Sequence, residues 1–254
     1  MTHAGRSTQP SDTTTLARKP SDARVRVYRG SVVKRSSVAV ALSAACIFGA
    51  AGPAHADENH SWTSLYASGP YAGAGWAACA EPIRVSVDSR AVSEDARTKI
   101  RNSVKAAVGQ WNANKVVKFA FAGELPVHFD YNTGVSTAQD NQPRDRWIYL
   151  TVVKNGDGTK VDPNVVGLAG PLRIDPATNT IVEASAAFRA KYLNKASKAQ
   201  AIELLAHELG HVFGLGHSTS KADTMYATLT GHTALGSGDL AGIKAVTKPC
   251  PAGS

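Results

Sequence analysis

Cysteine is scarce in this chain, with three in 254 residues: Cys46, Cys79 and Cys250. Cys46 lies inside an apolar run, Ser37 to Ala51, which follows Lys34-Arg35 and precedes Ala54-His55-Ala56. A basic flank, a short apolar core and a small-x-small ending describe an export signal cut near Asp57. The rival reading, a buried helix of the domain itself, leaves the basic leader unexplained. Cys46 sits within the run and not at its end, which argues against a lipid-modified cysteine. Two thiols then remain, one near each end of the mature chain. In an exported protein they are expected to form a single Cys79–Cys250 disulfide. A free Cys79 able to bind a metal is the alternative, and it would leave Cys250 without a partner. Long hydrophobic runs are lacking too. The run from Ser37 is too short to act as a stable membrane anchor.

An excess of one charge sign is also absent once the leader is set aside. Residues 1–56 carry 8 of the 28 basic and 2 of the 20 acidic residues, leaving 20 and 18 in the remainder. Such a balance gives no reason to expect nucleic acid or an anionic membrane as partner. There are no internal repeats, no nucleophile motif and no phosphate-binding loop. The chain therefore divides into a leader and export signal (1–56), an irregular N-terminal segment or short pro-region (57–78), and one domain (79–254). The irregular segment is rich in Gly, Ala, Ser and aromatics and shows no period. The domain is large enough to bury its own core, and it is expected to act as a monomer.

Within the domain, Ile83, Val85 and Val87 alternate with Arg84, Ser86 and Asp88, the pattern of a half-buried strand. Ala96, Ile100, Val104, Val108 and Trp111 recur at helical spacing, with Ser93 available as N-cap. Strands are expected at 116–121, 126–131 and 147–153. The stretch NGDGTKVDPN (155–164) is turn chemistry. Its Asp157 and Asp162 could ligate calcium or simply cap a solvated turn. VVGLAGPLRID (165–175) and NTIVEASAAF (179–188) read as two strands joined around Asp175-Pro176, and two helices follow residue 196. The layout is α+β.

The informative stretch is HELGHVFGLGH, His207 to His217. Lys198 to Gly214 reads as a helix, in which His207 and His211 fall within about 40° of one another. Ile202, Leu205, Leu209, Val212 and Phe213 cluster on roughly the opposite side, so the helix is expected to bury that side and aim two imidazoles away from it. Two histidines one turn apart can chelate one ion, and Glu208 on the flank of that face could hold a water beside it. On a straight helix His217 would lie about 15 Å further along the axis, so the chain must stop and turn back. Gly214 suits a left-handed terminating residue, and Gly216 adds freedom. His217 can then supply a third nitrogen. Three neutral imidazoles with an open fourth position make a catalytic zinc site. Chance would produce the full pattern in roughly one chain in ten thousand of this length.

At these residues the sequence resembles the metzincin zinc peptidases, whose motif is HExxHxxGxxH followed by a methionine turn. His207, Glu208, His211, Gly214 and His217 fill its fixed positions, and Met225 in ADTMYA resembles the turn methionine. Met225-Tyr226 resembles the matrixin (matrix-metalloproteinase-like) subgroup, and ALGSGDLAGIKAV (234–246) resembles its C-terminal helix. The resemblance implies a twisted mixed β-sheet, a long active-site helix, a Met-turn and a C-terminal helix. It also implies a zinc metalloendopeptidase acting on protein or peptide substrates, with one catalytic zinc and Glu208 as general base, and the export signal makes it secreted and extracellular. Gly167-Leu168-Ala169 would correspond to the edge strand along which substrate lies antiparallel. Two departures stand out: no cysteine-switch motif precedes the domain, and Ala227 replaces the usual proline after Met225-Tyr226. The rival functions are a zinc-binding module without turnover and a metallohydrolase of cell-wall peptide amides. His128 and His232 lie outside the motif, and His128 reads more readily as a structural histidine than as a second-metal ligand.

Overall fold

The computed structural model describes residues 38–39, 61–130, 134–140, 142–154, 165–232 and 234–251. All of them belong to one compact unit, Ser36–Ser254. The export signal apart from Val38–Ala39, the calcium candidates Asp157 and Asp162, and the histidines His55 and His60 lie outside the described residues.

The main sheet contains β2 (Gly75–Trp76), β3 (Ile83–Asp88), β4 (Phe119–Glu124), β7 (Trp147–Val153), β8 (Gly167–Asp175) and β9 (Thr180–Arg189), with the two-residue β1 (Val38–Ala39) at one edge. The strand order is β1-β8-β9-β7-β3-β4, with β2 pairing β9. The pairs β3–β4, β3–β7 and β7–β9 are parallel, whereas β8 runs antiparallel to β9. This is the mixed sheet of an α+β fold. A parallel pair needs a long crossover, which α1 (Glu94–Trp111) supplies between β3 and β4. The antiparallel pair needs only the turn at Asp175, whose carboxylate accepts from Ala177 N and Thr178 Oγ1. β5 (Val127–Asp130) and β6 (Val135–Ala138) form a separate two-stranded ladder.

Several local expectations change in three dimensions. β3 is buried along most of both faces: Ser86 and Asp88 are covered as well as Ile83, Val85 and Val87. It lies between two parallel neighbours, where both faces are packed. Asp88 tolerates burial because Val127 N and the Arg90 guanidinium both donate to it. Ser93 stands at the N-cap of α1, but its hydroxyl makes no capping bond. The strand expected at 116–121 begins only at Phe119. Before it, Asn114 Oδ1 accepts from Val116 N and Val117 N, so the side chain takes the amides a strand would have used. A short helix, α2 (Ala190–Lys195), follows β9 directly, with Ala190 and Leu193 buried. Helix α3 (Lys198–Val212) opens on a full capping box between Ser197 and Gln200. The last helix, α4, is Ser237–Val246.

The core lies between the sheet and the crossing helices α1 and α3. Trp111 donates from its indole to Ala206 O at 2.8 Å and sets its ring edge-on to Phe213. Phe213 in turn stacks on Phe119 of β4 at 4.1 Å. Trp76 donates to Val212 O at 2.8 Å, satisfying a carbonyl in the last turn of α3. The core thus extends upstream of Cys79: Ala74 and Trp76 belong to it, and Trp62, Tyr66 and Tyr71 pack against it. Cys79 and Cys250 form a disulfide across 171 residues of sequence. Beside it, Ala78 N donates to Lys248 O and Lys248 N to Trp76 O, each at 2.9 Å.

Closing so long a loop restricts the unfolded chain. Replacing both cysteines with serine should therefore lower unfolding stability, with about 5 kcal/mol as the ceiling in the chain-entropy model. Urea titration of the oxidised parent and the double variant measures this. An unchanged midpoint and slope would show that the bond contributes nothing to stability.

Candidate metal and catalytic site

Helix α3 is buried nearly all round. From Glu203 to Val212 every residue is covered, and Ile202 is only half-buried. The side expected to carry the two imidazoles away from the core-facing side is itself enclosed. Burying two imidazoles requires fixed partners for their inner nitrogens. His207 Nδ1 lies 2.8 Å from Thr224 O, and His211 Nδ1 lies 2.8 Å from Leu215 O. Since a carbonyl accepts, each Nδ1 carries the proton and each Nε2 is left as a lone-pair donor. Their rings stand nearly perpendicular, with centroids 4.8 Å apart.

The chain then leaves the helix abruptly. Gly214 adopts φ +99°, a left-handed conformation, and a Cβ there would overlap Ala74 O. Leu215 N donates back to Gly210 O at 3.0 Å. Gly216 serves a different purpose from the conformational freedom expected of it. Its φ is not left-handed, but a Cβ would collide with Thr63 Oγ1 and Ser64 O. His217 is thereby returned to the helix, with its ring centroid 4.9 Å from that of His211 and 5.4 Å from that of His207. One ligand nitrogen from each of the three histidines lies within 4.8 Å of the others. His217 Nε2 is buried without a hydrogen-bond partner. Three convergent neutral nitrogens, one of them orphaned, are the donor set that a zinc ion takes.

Two segments hold this geometry. The first is residues 61–66. Leu65 N donates to Gly214 O, Gly216 N to Thr63 O, Thr219 N to Ser61 O, and Thr63 Oγ1 to His217 O. The segment runs antiparallel to the returning chain, with Ser64 opposite Leu215. The second is the turn at Thr224-Met225. Asp239 of α4, 1% exposed, accepts from Thr224 N at 2.7 Å, Met225 N at 3.0 Å and Gly236 N at 2.8 Å. Desolvation still raises its pKa, against the pull of those three amides. Asp223, equally buried, accepts from Ser61 Oγ, Ser218 Oγ and Gly238 N, tying the two segments together. Met225 lies beneath α3 at Gly210, where a Cβ would overlap its sulfur. Tyr226 is half-buried at the end of the turn.

Glu208 is 2% exposed, and its Oε2 has no hydrogen-bond partner. Desolvation pushes its pKa from 4.5 up to about 8. Burial also lowers His207 to about 4 and depresses His211 and His217. The metal-free site therefore holds neutral imidazoles and a protonated carboxyl near neutral pH. A cation at the three nitrogens would draw the carboxyl back toward its charged form. Gly167, at the start of β8, lies directly against this residue: a Cβ there would overlap Glu208 Oε1. Gly167, Leu168 and Ala169 thus flank the site, opposite Phe188, Ala187 and Ala186 of β9. On the outer side of β8, among the described residues, the ladder pairs only Ile174 and Arg173, with β1.

His128 is exposed on β5, and His232 meets Lys221 O through Nε2; neither joins the three-histidine cluster. Asp223, Asp239, Gly210, Thr63 and Glu203 escape a reading of the sequence alone. Gly210 gave the clearest signal, as a glycine inside an otherwise strong helix pattern. In comparisons with known proteins, the profile of the family described as Matrixin matches residues 37–247. No curated protein matches significantly.

With no cation present, the folded protein keeps the Glu208 proton up to about pH 8, whereas the unfolded chain loses it near 4.5. Between those values the unfolded state binds fewer protons, so stability falls as pH rises. Chelator-treated Glu208→Gln should therefore be more stable than chelator-treated wild type, by a margin that grows from pH 4.5 to 8 and then levels off. The depressed histidines act the opposite way, losing their contribution as pH falls below 6.5, but they are common to both proteins. Denaturant titrations across this range would refute the assignment if the margin is flat.

Proposed function

This chain belongs to the matrixin family, a family of zinc-dependent endopeptidases, and we propose that it is itself a secreted enzyme of that kind. His207, His211 and His217 hold one zinc ion, and Glu208 is the general base. The observation that carries this reading is the pair of buried, unpartnered atoms at the site, His217 Nε2 and Glu208 Oε2. Leaving a buried polar group unmade costs about 1–3 kcal/mol, and here an ion and a reacting water would complete both.

When bound, zinc supplies Lewis-acid polarisation of the scissile carbonyl and makes a water acidic enough to attack at neutral pH. The rest falls to the chain. Glu208 accepts the proton of the attacking water at its unpartnered oxygen and delivers it to the departing amine. Its burial keeps the carboxyl from pairing with bulk solvent, so the proton moves over a short, fixed path. Thr224 O and Leu215 O hold the His207 and His211 rings in the tautomer that presents Nε2. An extended peptide lies antiparallel to β8 at Gly167-Leu168-Ala169, exchanging backbone hydrogen bonds as an added strand. The absence of a side chain at Gly167 leaves the space that Glu208 occupies. Secretion is supported by the leader composition and by the Cys79–Cys250 bond, which suits an oxidising compartment. Among the described residues no helix is long and apolar enough to cross a membrane. Protein or peptide is the substrate, and the monomer suffices because every site residue comes from one chain.

Glu208→Ala, folded and loaded with zinc, should lose at least about 100-fold in kcat on casein. Wild-type turnover in that variant would overturn the mechanism. Gly167→Ala should lower kcat by about 10- to 100-fold through displacement of Glu208, with zinc content unchanged. Full activity in this second variant would show that Glu208 does not work from the position described.

A further inference from the structure

The three histidines of the site are not held alike. His207 and His211 each have a ring nitrogen bonded to a carbonyl, Thr224 O and Leu215 O respectively. The ring of His217 makes no hydrogen bond among the described residues. It is also the least enclosed of the three, half-buried where the other two are buried. Its position is therefore set through its backbone, and that backbone is gripped by Thr63. The Thr63 hydroxyl donates to His217 O at 2.7 Å, and the Thr63 carbonyl accepts from Gly216 N at 2.9 Å.

Each of these bonds falls on a rigid peptide plane that carries a second bond. The plane joining Leu215 to Gly216 is fixed at its oxygen by His211 Nδ1 and at its nitrogen by Thr63 O. The plane joining His217 to Ser218 is fixed at its oxygen by Thr63 Oγ1 and at its nitrogen by Met225 O, 2.7 Å away. Thr63 is thus shared by both planes, and one of them is bonded directly to a second histidine of the site. The plane between them, from Gly216 to His217, makes no hydrogen bond among the described residues. Gly216 leaves the room this grip needs, since a Cβ there would collide with Thr63 Oγ1. Downstream of His217, Ser218 Oγ bonds Asp223 at 2.6 Å, which holds the chain after the histidine but not its ring.

We propose that Thr63 is a positioning residue for the metal, its hydroxyl holding the His217 peptide so that the third nitrogen converges on the other two. This rests on the zinc-site reading. Without the hydroxyl, the plane after His217 keeps only its bond to Met225 O and is free to turn about it. The imidazole turns with it, because no bond to the ring restrains it. The loss falls on zinc affinity: His207 and His211 stay in place on the helix while the third nitrogen drifts. A hydrogen bond that served the fold alone would weaken the metal-free and the metal-loaded protein equally, leaving zinc affinity as it was.

Two conservative variants separate the hydroxyl from the bulk of the side chain. Thr63→Val keeps the shape and removes the donor, whereas Thr63→Ser keeps the donor and removes a methyl. Zinc dissociation constants, measured by competition with a chromophoric chelator, should rise about 10- to 100-fold in Thr63→Val and return toward wild type in Thr63→Ser. Thr63→Ala, which adds no methyl beside His217 O, should show the same rise as Thr63→Val. Cobalt(II) in place of zinc gives a second readout, because its visible absorption follows the number and geometry of its ligands. The spectrum should change in Thr63→Val and be restored in Thr63→Ser. Urea titrations of the metal-free proteins record any loss of folding separately. A wild-type zinc constant in Thr63→Val and Thr63→Ala, an equal rise in Thr63→Ser, or one cobalt spectrum common to all of them overturns the proposal. A wild-type chain that takes up no zinc would instead overturn the three-histidine site itself, and this proposal with it.

Discussion

At Gly214 the chain abandons helix α3 in a left-handed turn, and within three residues it brings His217 back beside His207 and His211. The site depends on this reversal, since a continued helix would carry the third imidazole away from the other two. The reversal does not stand alone. Gly214 fits because Ala74 O comes too close for any Cβ, and Gly216 fits because Thr63 and Ser64 do. Both crowding segments lie ahead of Cys79. The N-terminal residues 61–66 are therefore the segment against which the third histidine is set, and Thr63 is bonded to His217 O itself.

Four buried carboxylates around the site show how one chemical group takes different roles. Asp239 and Asp223 are surrounded by donors, three each, and they fix backbone: the Met225 turn, the start of α4 and the N-terminal segment. Their burial is offset in part by charge-assisted hydrogen bonds. Glu208 has the opposite environment, with an oxygen lacking any partner and burial as the dominant cause of its raised pKa. Burial without donors is what sets this carboxyl apart from the two aspartates. Glu203 combines both conditions in one side chain, with one oxygen saturated by amides and the other bare.

The sequence made the helix around HELGH legible, because apolar periodicity and Gly214 both mark the same element. The one-face relation of His207 and His211 follows from the helix repeat alone. The α+β layout was legible too, through strands and helices that each carry a period. What stayed hidden is what depends on distant partners. Ser61 and Asp223 are 162 residues apart, and Asp239 reaches Met225 across an intervening loop. Asp, Ser and Thr are common on any surface, so no local pattern distinguishes those that are buried with three donors. The burial of both faces of α3 was hidden for a related reason. A hydrophobic stripe tells which side meets the core, but an opposite side covered by Met225, Thr224 and Gly167 shows no stripe at all.

Two segments approach helix α3 at its two buried glutamates. On one side β8 approaches so closely at Gly167 that only a residue without a side chain leaves room for Glu208. On the other, the segment after Met225 folds its amides around Glu203. Side chains of α3 meet both segments, and the close approach of β8 fixes the place of Glu208. Preorganisation of this kind is what lets a site hold reacting groups to a fraction of an ångström. Two tryptophans add to it. Trp111 bonded to Ala206 O and Trp76 bonded to Val212 O hold the helix at two points along its length, so it has little freedom to slide.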